Sequence, residues 1–318
     1  MSTADEEKSD DTMMQCCASC GTKAGDDIKL KKCTSCYLVK YCSVKCQKDH
    51  WPQHKKECKK RAAELYDEIL FKQPEGSHRG DCPICFVPLP IDETKSTVSQ
   101  CCSKMVCKGC VYASMTSGNN WMEPTCAFCR TSIMRPNEAF EEDEVKRAEA
   151  NDPVALREQG TKCLHKGDYG GAFEKLTKAV ELGSVEALCT LSTLYAEGNG
   201  VERDEKKARQ LLEKAAIGGH PLARWTLGLL EARDGNKKNA LRHWIIAANQ
   251  GHVEALNYVK KGFQDGSVSK EEYASTLRGH QAAVSATESE QREEAYKVFK
   301  EIDDFGLGWE EAYKVLGR

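Results

Sequence analysis

Thiol and imidazole side chains crowd one short stretch of this 318-residue chain. From Tyr41 to Cys58 the sequence reads YCSVKCQKDHWPQHKKEC, with three cysteines and two histidines. Sixteen of the eighteen cysteines in the whole chain lie between Cys16 and Cys129. Such a concentration serves disulfide bonds, reactive thiols or metal ligands, and the rest of the sequence has to decide between these three.

The sequence around the cysteines favours metal. A disulfide framework needs an oxidising compartment and normally a secretory signal, but the sequence MSTADEEKSDD at the start is acidic and polar. No run of about 18 apolar residues is present, so no membrane span is predicted. We therefore expect an intracellular protein of the cytoplasm or the nucleus. Clustered cysteines in that reducing setting usually bind metal.

The overall charge argues against nucleic acid as a partner. The formal net charge is −3, and cysteines that bind metal as thiolates would make the chain more acidic. One segment departs from this, because residues 28–61 carry eleven lysines and arginines against Asp49 and Glu57. We interpret these cations as balancing thiolate charge beside a metal; the alternative is a phosphate-binding patch.

The potential ligands of the first segment come in four pairs. Two pairs have the C-x2-C spacing of tight turns, and two have a spacing of four residues, which places both side chains on one helix face. Thiolate and imidazole suit zinc better than harder metals, and eight ligands are enough for two tetrahedral sites. The pairs are Cys17 with Cys20, Cys33 with Cys36, Cys42 with Cys46, and His54 with Cys58.

Residues 16–58 resemble the MYND zinc finger, and the stretch YCSVKCQKDHWPQHKKEC carries most of the resemblance. The family implies one zinc on Cys17, Cys20, Cys42 and Cys46, and a second on Cys33, Cys36, His54 and Cys58. Cys16 and His50 are left over, because only Cys17 keeps the two-residue spacing to Cys20 and because each site already has four ligands. MYND fingers generally bind short proline-containing peptides, which the resemblance makes the expected partner.

Zinc is expected to hold this module together. About forty residues bury too little apolar surface to fold alone, whereas a structural zinc contributes on the order of 10 kcal/mol. Because protein side chains fill all four positions at each site, these zinc ions are not expected to catalyse a reaction. Residues 59–81 are predicted to be a helix and a linker: residues 59–72 form a helix that closes the module, and PEGSHRG, residues 74–80, is the linker.

The second group of cysteines also comes in pairs, over residues 82–130. Their order resembles an all-cysteine RING finger with two interleaved zinc sites, which brings the expected total to four zinc ions. Lys104 stands where a histidine is common, so two adjacent cysteines must both act as ligands. The resemblance implies one site made of Cys82, Cys85, Cys107 and Cys110, and another made of Cys101, Cys102, Cys126 and Cys129.

A RING ligase binds a ubiquitin-conjugating enzyme and restrains the attached ubiquitin, without covalent chemistry of its own. The resemblance implies that Ile84 and Trp121 contact the conjugating enzyme and that Arg130 restrains ubiquitin, since a guanidinium can bridge two carbonyls. The sequence departs from the family at Ala127, where proline is common, and in the long polar stretch after Cys110. The alternative is core packing for Ile84 and Trp121 and a solvated charge for Arg130.

The remainder of the chain repeats itself. AFEKLTKAVELG, ARQLLEKAAIGG and ALRHWIIAANQG share the pattern A-x6-A-x3-G, in which alanine allows close helix packing and glycine supplies a left-handed cap. Such periodicity predicts an α-solenoid. Residues 194–216, LYAEGNGVERDEKKARQLLEKAA, resemble Sel1-like repeats, relatives of the tetratricopeptide class, whose concave face would bind a protein or peptide.

The sequence thus predicts small zinc-stabilised modules followed by an all-α solenoid of helical repeats. The predicted divisions are a disordered acidic tail (1–15), a MYND finger (16–58), a helix and linker (59–81), a RING-like finger (82–130), a charged linker (131–152), Sel1-like repeats (153–285) and a helical tail (286–318). An apolar stripe in that tail is expected to cover the end of the solenoid. Cys163 and Cys189 are expected to be core residues of the repeats.

Two functions fit this organisation. One is a RING-type ubiquitin ligase or ligase adaptor whose finger and repeats recruit protein partners. The other is a non-enzymatic scaffold in which zinc is purely structural. A lysine methyltransferase, in which MYND fingers also occur, is set aside because repeats occupy the space and no glycine-rich cofactor loop is present.

Overall fold

The structure is a computed structural model that describes residues 15–25, 27–116 and 125–304. The chain divides into two compact units between Lys72 and Gln73. Within the described ranges, no helix is long and apolar enough to cross a membrane. The predicted acidic tail up to residue 14, Trp121, and the tail segment 310–316 lie outside the described residues.

The first unit has two short strands and one long helix. β1 (Lys31–Lys32) pairs antiparallel with β2 (Lys40–Tyr41), and α1 runs over Val44–Leu70. Ser43 caps α1, because its side chain accepts a hydrogen bond from the Cys46 N–H. Residues 59–70 are helical, as the sequence predicts. They continue the helix that carries the ligands, since they hold no glycine or proline that would end it.

The second unit begins with a small sheet. A 3-10 turn (Glu93–Lys95) leads into β3 (Ser96–Val98), which pairs antiparallel with β4 (Met105–Cys107), and α2 (Lys108–Thr116) follows directly. The apolar core around this sheet is small, and its side chains Leu89 and Val106 pack among buried cysteines. A module of this size depends on what those cysteines bind.

Nine further helices make up most of the second unit within the described ranges, and each of the repeat helices packs on the next. They are α3 (Asn137–Glu149), α4 (Pro153–His165), α5 (Tyr169–Glu181), α6 (Val185–Glu197), α7 (Glu205–Ile217), α8 (Pro221–Arg233), α9 (Lys237–Asn249), α10 (Val253–Gln264) and α11 (Lys270–Ser285). At the start of α4 the Asp152 side chain accepts from the Val154 and Ala155 N–H groups and Pro153 occupies the first turn, as the sequence predicts.

The alanine and glycine pattern acts as predicted. The three glycines that end α5, α7 and α9 have φ of 90°, 85° and 95°, a conformation that only glycine adopts without strain; they are Gly183, Gly219 and Gly251. The three alanines one turn earlier are fully buried where neighbouring helices meet; they are Ala179, Ala215 and Ala247.

Residues 131–152 differ from the predicted linker. Helix α3 within them packs on α4, and Ala148 is buried in the first core of the repeats. Asn151 has φ of 63° and donates its N–H to the Ala148 carbonyl, as the glycines do at the later helix ends. Asparagine tolerates this conformation better than most residues. Helix α3 is therefore the first helix of the array. The A-x6-A-x3-G pattern does not reveal it, because Phe140, Arg147 and Asn151 stand at the two alanine positions and the glycine position.

The predicted linker at residues 74–80 lies against the repeats rather than free. The His78 N–H donates to the Gly219 carbonyl at 3.3 Å, and the Gln250 side chain donates to the Gly76 carbonyl at 3.4 Å. Gly219 and Gln250 both lie in turns between helices, and the Gly219 carbonyl is one that the end of a helix leaves without a helical partner. The segment thus anchors the second zinc module on the array.

The apolar stripe of the tail does not cover the end of the solenoid. Helix α12 (Glu290–Asp304) packs along α2, and Ala295, Phe299 and Ile302 bury their side chains against Met115. The sequence-based expectation was wrong about the partner, because an amphipathic stripe fits any apolar face of similar width. The tail helix therefore belongs to the second zinc module.

Candidate metal centres

The structure brings the sixteen predicted ligands together in four groups. Within each group the sulfur and imidazole nitrogen atoms all lie within 4.8 Å of one another. The groups are Cys17, Cys20, Cys42 and Cys46 (group 1), Cys33, Cys36, His54 and Cys58 (group 2), Cys82, Cys85, Cys107 and Cys110 (group 3), and Cys101, Cys102, Cys126 and Cys129 (group 4). In each module the two groups are interleaved along the chain.

The distances within the groups fit zinc. Two sulfurs bound to one tetrahedral zinc at about 2.3 Å lie roughly 3.8 Å apart. The Cys33 and Cys58 sulfurs are 3.7 Å apart and those of Cys82 and Cys110 are 3.9 Å apart, close to this value, whereas the Cys101 and Cys129 sulfurs are closer, at 3.2 Å. A disulfide would need about 2.05 Å, and every cysteine is a free thiol. The four groups are consistent with four zinc ions, two in each module.

A single backbone turn presents the ligands in both modules. In four of the five C-x2-C pairs, the residue directly after the second cysteine has a left-handed φ between 55° and 72° and donates its N–H to the carbonyl of the first cysteine. The fifth pair, Cys107 with Cys110, leads into helix α2 instead. The four left-handed residues are Gly21, Tyr37, Phe86 and Arg130. For a residue other than glycine this conformation costs roughly 1–2 kcal/mol. The strain falls at the metal groups, where bound zinc can offset it.

The adjacent cysteines of group 4 use the same turn with a serine in place of its first cysteine. Ser103 has φ of 58° and donates its N–H to the Ser99 carbonyl at 2.8 Å, so Ser99 occupies the first position. The Ser99 hydroxyl also hydrogen-bonds the Cys126 sulfur and lowers the pKa of that thiol against the effect of burial. Sequence analysis missed Ser99, although S-x2-C at residues 99–102 was a visible variant of C-x2-C.

Backbone amides prepare the sulfurs to act as thiolates. Burial raises the pKa of Cys17, but N–H donors from Cys20, Cys42 and Ser19 outweigh it and lower the pKa to about 6. At least one thiol in each of the other groups also has a lowered pKa against the effect of burial: Cys33 at about 6, Cys82 at about 7, and Cys129 at about 6, where the Thr131 hydroxyl contributes as well as its N–H. Thiolate is the form that binds metal.

The two leftover side chains of the first segment lie outside the groups. The His50 Nδ1 is 3.0 Å from the Tyr41 hydroxyl, and its ring stacks on His54 with 5.7 Å between centroids. The stacking of His50 on His54, a group 2 residue, helps to hold the His54 imidazole in place. Cys16 lies in a backbone bridge with Lys23 rather than in a group.

The three predicted ubiquitin-transfer contacts have different surroundings. Ile84 is half-buried and packs against the group 3 core together with Ala127. Arg130 is exposed on the left-handed turn that follows Cys129. Trp121 lies outside the described residues. Among the described residues, none forms a hydrogen bond or ion pair with the Arg130 guanidinium, so this side chain is available to contact a bound protein.

The two late cysteines lie in the repeats, away from the four groups. Cys163 and Cys189 are half-buried and pack against the apolar cores formed by α3 to α8. Burial raises the pKa of Cys189 to about 12, which keeps the thiol neutral and unreactive.

Comparison with known families agrees with this geometry. The MYND finger family matches residues 17–58, and the Sel1 repeat family matches residues 185–220 and 227–252. The chain carries a MYND finger and Sel1 repeats. Both are protein–protein interaction modules, so the chain is a zinc-binding protein with a role in protein interaction.

Curated relatives share only a small part of their length with this chain. The human histone-lysine N-methyltransferase SMYD3 is 61% identical over 15% of this chain and 14% of that protein. The SET domain and MYND-type zinc finger protein 6 of Schizosaccharomyces pombe is 40% identical over 16% of this chain and 11% of that protein. Because the chain spans about a seventh or less of these proteins, the match does not extend their activity to it.

Two solved structures are similar to about half of this chain. A Sel1 repeat protein from Oxalobacter formigenes is 25% identical with a TM-score of 0.40, covering 46% of this chain and 65% of that one. A protective antigen of uropathogenic Escherichia coli with an SLR fold is 20% identical with a TM-score of 0.36, covering 51% of this chain and 36% of that one.

Proposed function

We propose that this chain is a RING-type ubiquitin ligase or ligase adaptor in which the second zinc module recruits a ubiquitin-conjugating enzyme. The proposal depends on zinc occupying all four groups through the sixteen side chains named above. The observation that carries it is the interleaved pair of all-cysteine groups over residues 82–130, with Ile84 at the edge of one group and Arg130 exposed beside the other. Zinc would hold the two contact residues at a constant separation and take no part in chemistry.

The ligase proposal predicts a specific pattern in a ubiquitination assay. The purified chain is incubated with ubiquitin, activating enzyme and a panel of conjugating enzymes, and ubiquitin chains are measured. Ile84→Ala and Arg130→Ala are each expected to reduce chain formation at least tenfold, because a central contact at a protein interface is worth about 2 kcal/mol. Val145→Ala, which truncates an exposed apolar residue of helix α3, is the matched control and should leave the rate unchanged.

The alternative function is a scaffold with purely structural zinc. Helix α12 favours it, because this helix already buries one face of α2 in the second module. Absence of ubiquitin chains with every conjugating enzyme, from protein that retains four zinc ions, would support the scaffold and reject the ligase. Loss of chains in the two variants counts as support for the ligase only where their zinc content equals that of the wild type.

The first module is proposed to bind a proline-containing peptide. Exposed apolar side chains support this, because Trp51 and Tyr37 are 40% and 56% exposed beside the metal groups. Aromatic faces are the usual surface for proline-rich segments. We expect Trp51→Ala to weaken binding of a short proline-rich peptide at least tenfold in a fluorescence titration, with zinc content unchanged. Equal affinity of variant and wild type would reject this site.

A further inference from the structure

Arg292 is a fully buried cation at the start of helix α12, with 1% of its surface exposed. Its guanidinium donates four hydrogen bonds. The Nη1 group donates to the Pro88 and Thr287 carbonyls, each at 2.7 Å, and the Nη2 group donates to the Val87 carbonyl at 3.0 Å. The fourth bond runs from Nη2 to the Cys85 sulfur at 3.4 Å.

The cation has no carboxylate partner. Among the described residues no carboxylate oxygen lies within 4.0 Å of this guanidinium, and the groups that favour its charge are the sulfurs of Cys85 and Cys107. A buried arginine is costly unless an anion compensates it. Zinc bound by four thiolates carries two net negative charges, and group 3 is such a set. The buried cation and the four-thiolate group therefore compensate each other.

The fit around Arg292 is close. A side chain added at Gly109, between two group 3 cysteines, would place its Cβ 2.8 Å from the Arg292 Cγ. The Gln291 side chain donates to the Gly109 carbonyl at 3.0 Å, and the Tyr112 hydroxyl donates to Glu294 at 3.2 Å. The apolar contacts of Phe299 hold the next turns of α12 against α2. Helix α12 thus delivers Arg292 to the sulfur from a position 207 residues later in the chain.

We propose that Arg292 is a positioning residue of the third metal group: its guanidinium orients the Cys85 thiolate, balances the charge of the four sulfurs, and protects Cys85 from electrophiles. A hydrogen bond to a metal-bound thiolate withdraws electron density from the sulfur and lowers its nucleophilicity. The second zinc module then includes residues 286–304. The inference rests on zinc occupying group 3, which is part of the proposed function.

The test measures modification of individual cysteines in the full chain. Wild type, Arg292→Met and Arg224→Met are loaded with zinc, and the metal is counted. Each protein is then treated with N-ethylmaleimide, and alkylation of Cys85 is followed by peptide mass spectrometry. Arg224 is the matched control, because it is also fully buried in the second unit but lies in helix α8.

Arg292→Met is expected to speed alkylation of Cys85 about tenfold, the value of one charge-assisted hydrogen bond, while Cys17 in the first unit keeps its rate. Arg224→Met should leave Cys85 at the wild-type rate. An unchanged Cys85 rate in folded Arg292→Met would overturn the inference.

A second variant keeps the inference testable if Arg292→Met does not fold. Phe299→Ala opens a cavity between α12 and α2 and leaves Arg292 and the group 3 cysteines unmutated. It should loosen the helix that carries Arg292 and so also speed alkylation of Cys85 relative to Cys17. Equal rates in this variant and wild type would again overturn the inference. Fewer than four zinc ions in the wild type would instead count against the proposed function, whatever the variants do.

Discussion

Chelation of zinc is expected to unfold residues 16–58 completely while the helices from α4 to α11 remain folded. The apolar core of the first unit consists of its ligands, since four of its five fully buried members are cysteines and the fifth is Tyr41. Each zinc contributes on the order of 10 kcal/mol, which is more than a segment of this size gains from apolar burial. The left-handed turn at Tyr37 adds strain that bound zinc can offset.

Hydrogen exchange read by mass spectrometry checks this expectation peptide by peptide. After chelation, amides of residues 16–58 should exchange as in an unfolded chain, and those of residues 153–285 should keep their protection. The second zinc module should also lose protection around groups 3 and 4, because its core too is made of ligands. Persistent protection of residues 16–58 in metal-free protein would contradict the structural role of zinc.

Two neighbouring cysteines supply a matched pair of variants. Cys17→Ser removes a buried member of group 1, and it should lower the zinc content by one ion or more and unfold the first unit. Cys16→Ser changes the adjacent residue, which lies outside the four groups, and should leave both zinc content and exchange unchanged. Equal behaviour of the two variants would reject the assignment of Cys17 as the ligand.

Acidification from pH 7 to pH 5 is expected to destabilise the second unit by about 2 kcal/mol for each of three buried histidines. Burial is the main cause of a lowered pKa in all three, bringing His78 to about 4 and His220 and His243 to about 3. Nearby positive charges add to this effect. Arg79 and Arg157 act on His78, and His78 acts on His220, whose ring it stacks against with 4.1 Å between centroids.

The direction of this pH effect on stability follows from proton binding. Below pH 6.5 the unfolded chain takes up protons on these imidazoles, whereas the folded chain keeps them neutral until the pH approaches 4 or 3. Stability is therefore complete above about pH 6.5 and falls by about 1.4 kcal/mol per pH unit for each histidine below it. Glu186, 3.6 Å from the His78 Nε2, favours the proton on His220 but does not outweigh burial, so the pKa of His220 stays lowered.

Urea denaturation at both pH values measures the effect, with metal analysis confirming that zinc is retained at pH 5. Between pH 7 and pH 5, the free energy of unfolding of His243→Phe should fall by about 2 kcal/mol less than that of the wild type. His165→Gln, at an exposed position of α4, should keep the full loss. If the variants are too unstable, nuclear magnetic resonance titration of the wild-type imidazoles serves instead, and titration of the buried rings near pH 6.5 would contradict the expectation.

Local chemistry in the sequence was enough to find the repeats and the side chains that the structure gathers into four groups able to hold a metal. The members of each ligand pair are at most four residues apart, so a single turn or one helical turn places them, and the spacing can be seen without the fold. The same holds for the glycine caps, because a left-handed helix end depends on one residue and its immediate neighbours. Asn151 and Ser99 show the limit, since each adopts the same local geometry with a different residue type.

Only the tertiary structure decided which surfaces meet. The stripe of helix α12 carries Ala295 and Phe299 at helical spacing, and that pattern specifies an apolar partner without saying which one. The hydrogen bond from Arg292 to Cys85 joins residues 207 positions apart, so no sequence spacing reports it. Apolar burial has no direction and little selectivity between faces, whereas metal coordination and helix capping have strict local geometry. For that reason the ligands were predictable from the sequence, and the helix that completes the second zinc module was not.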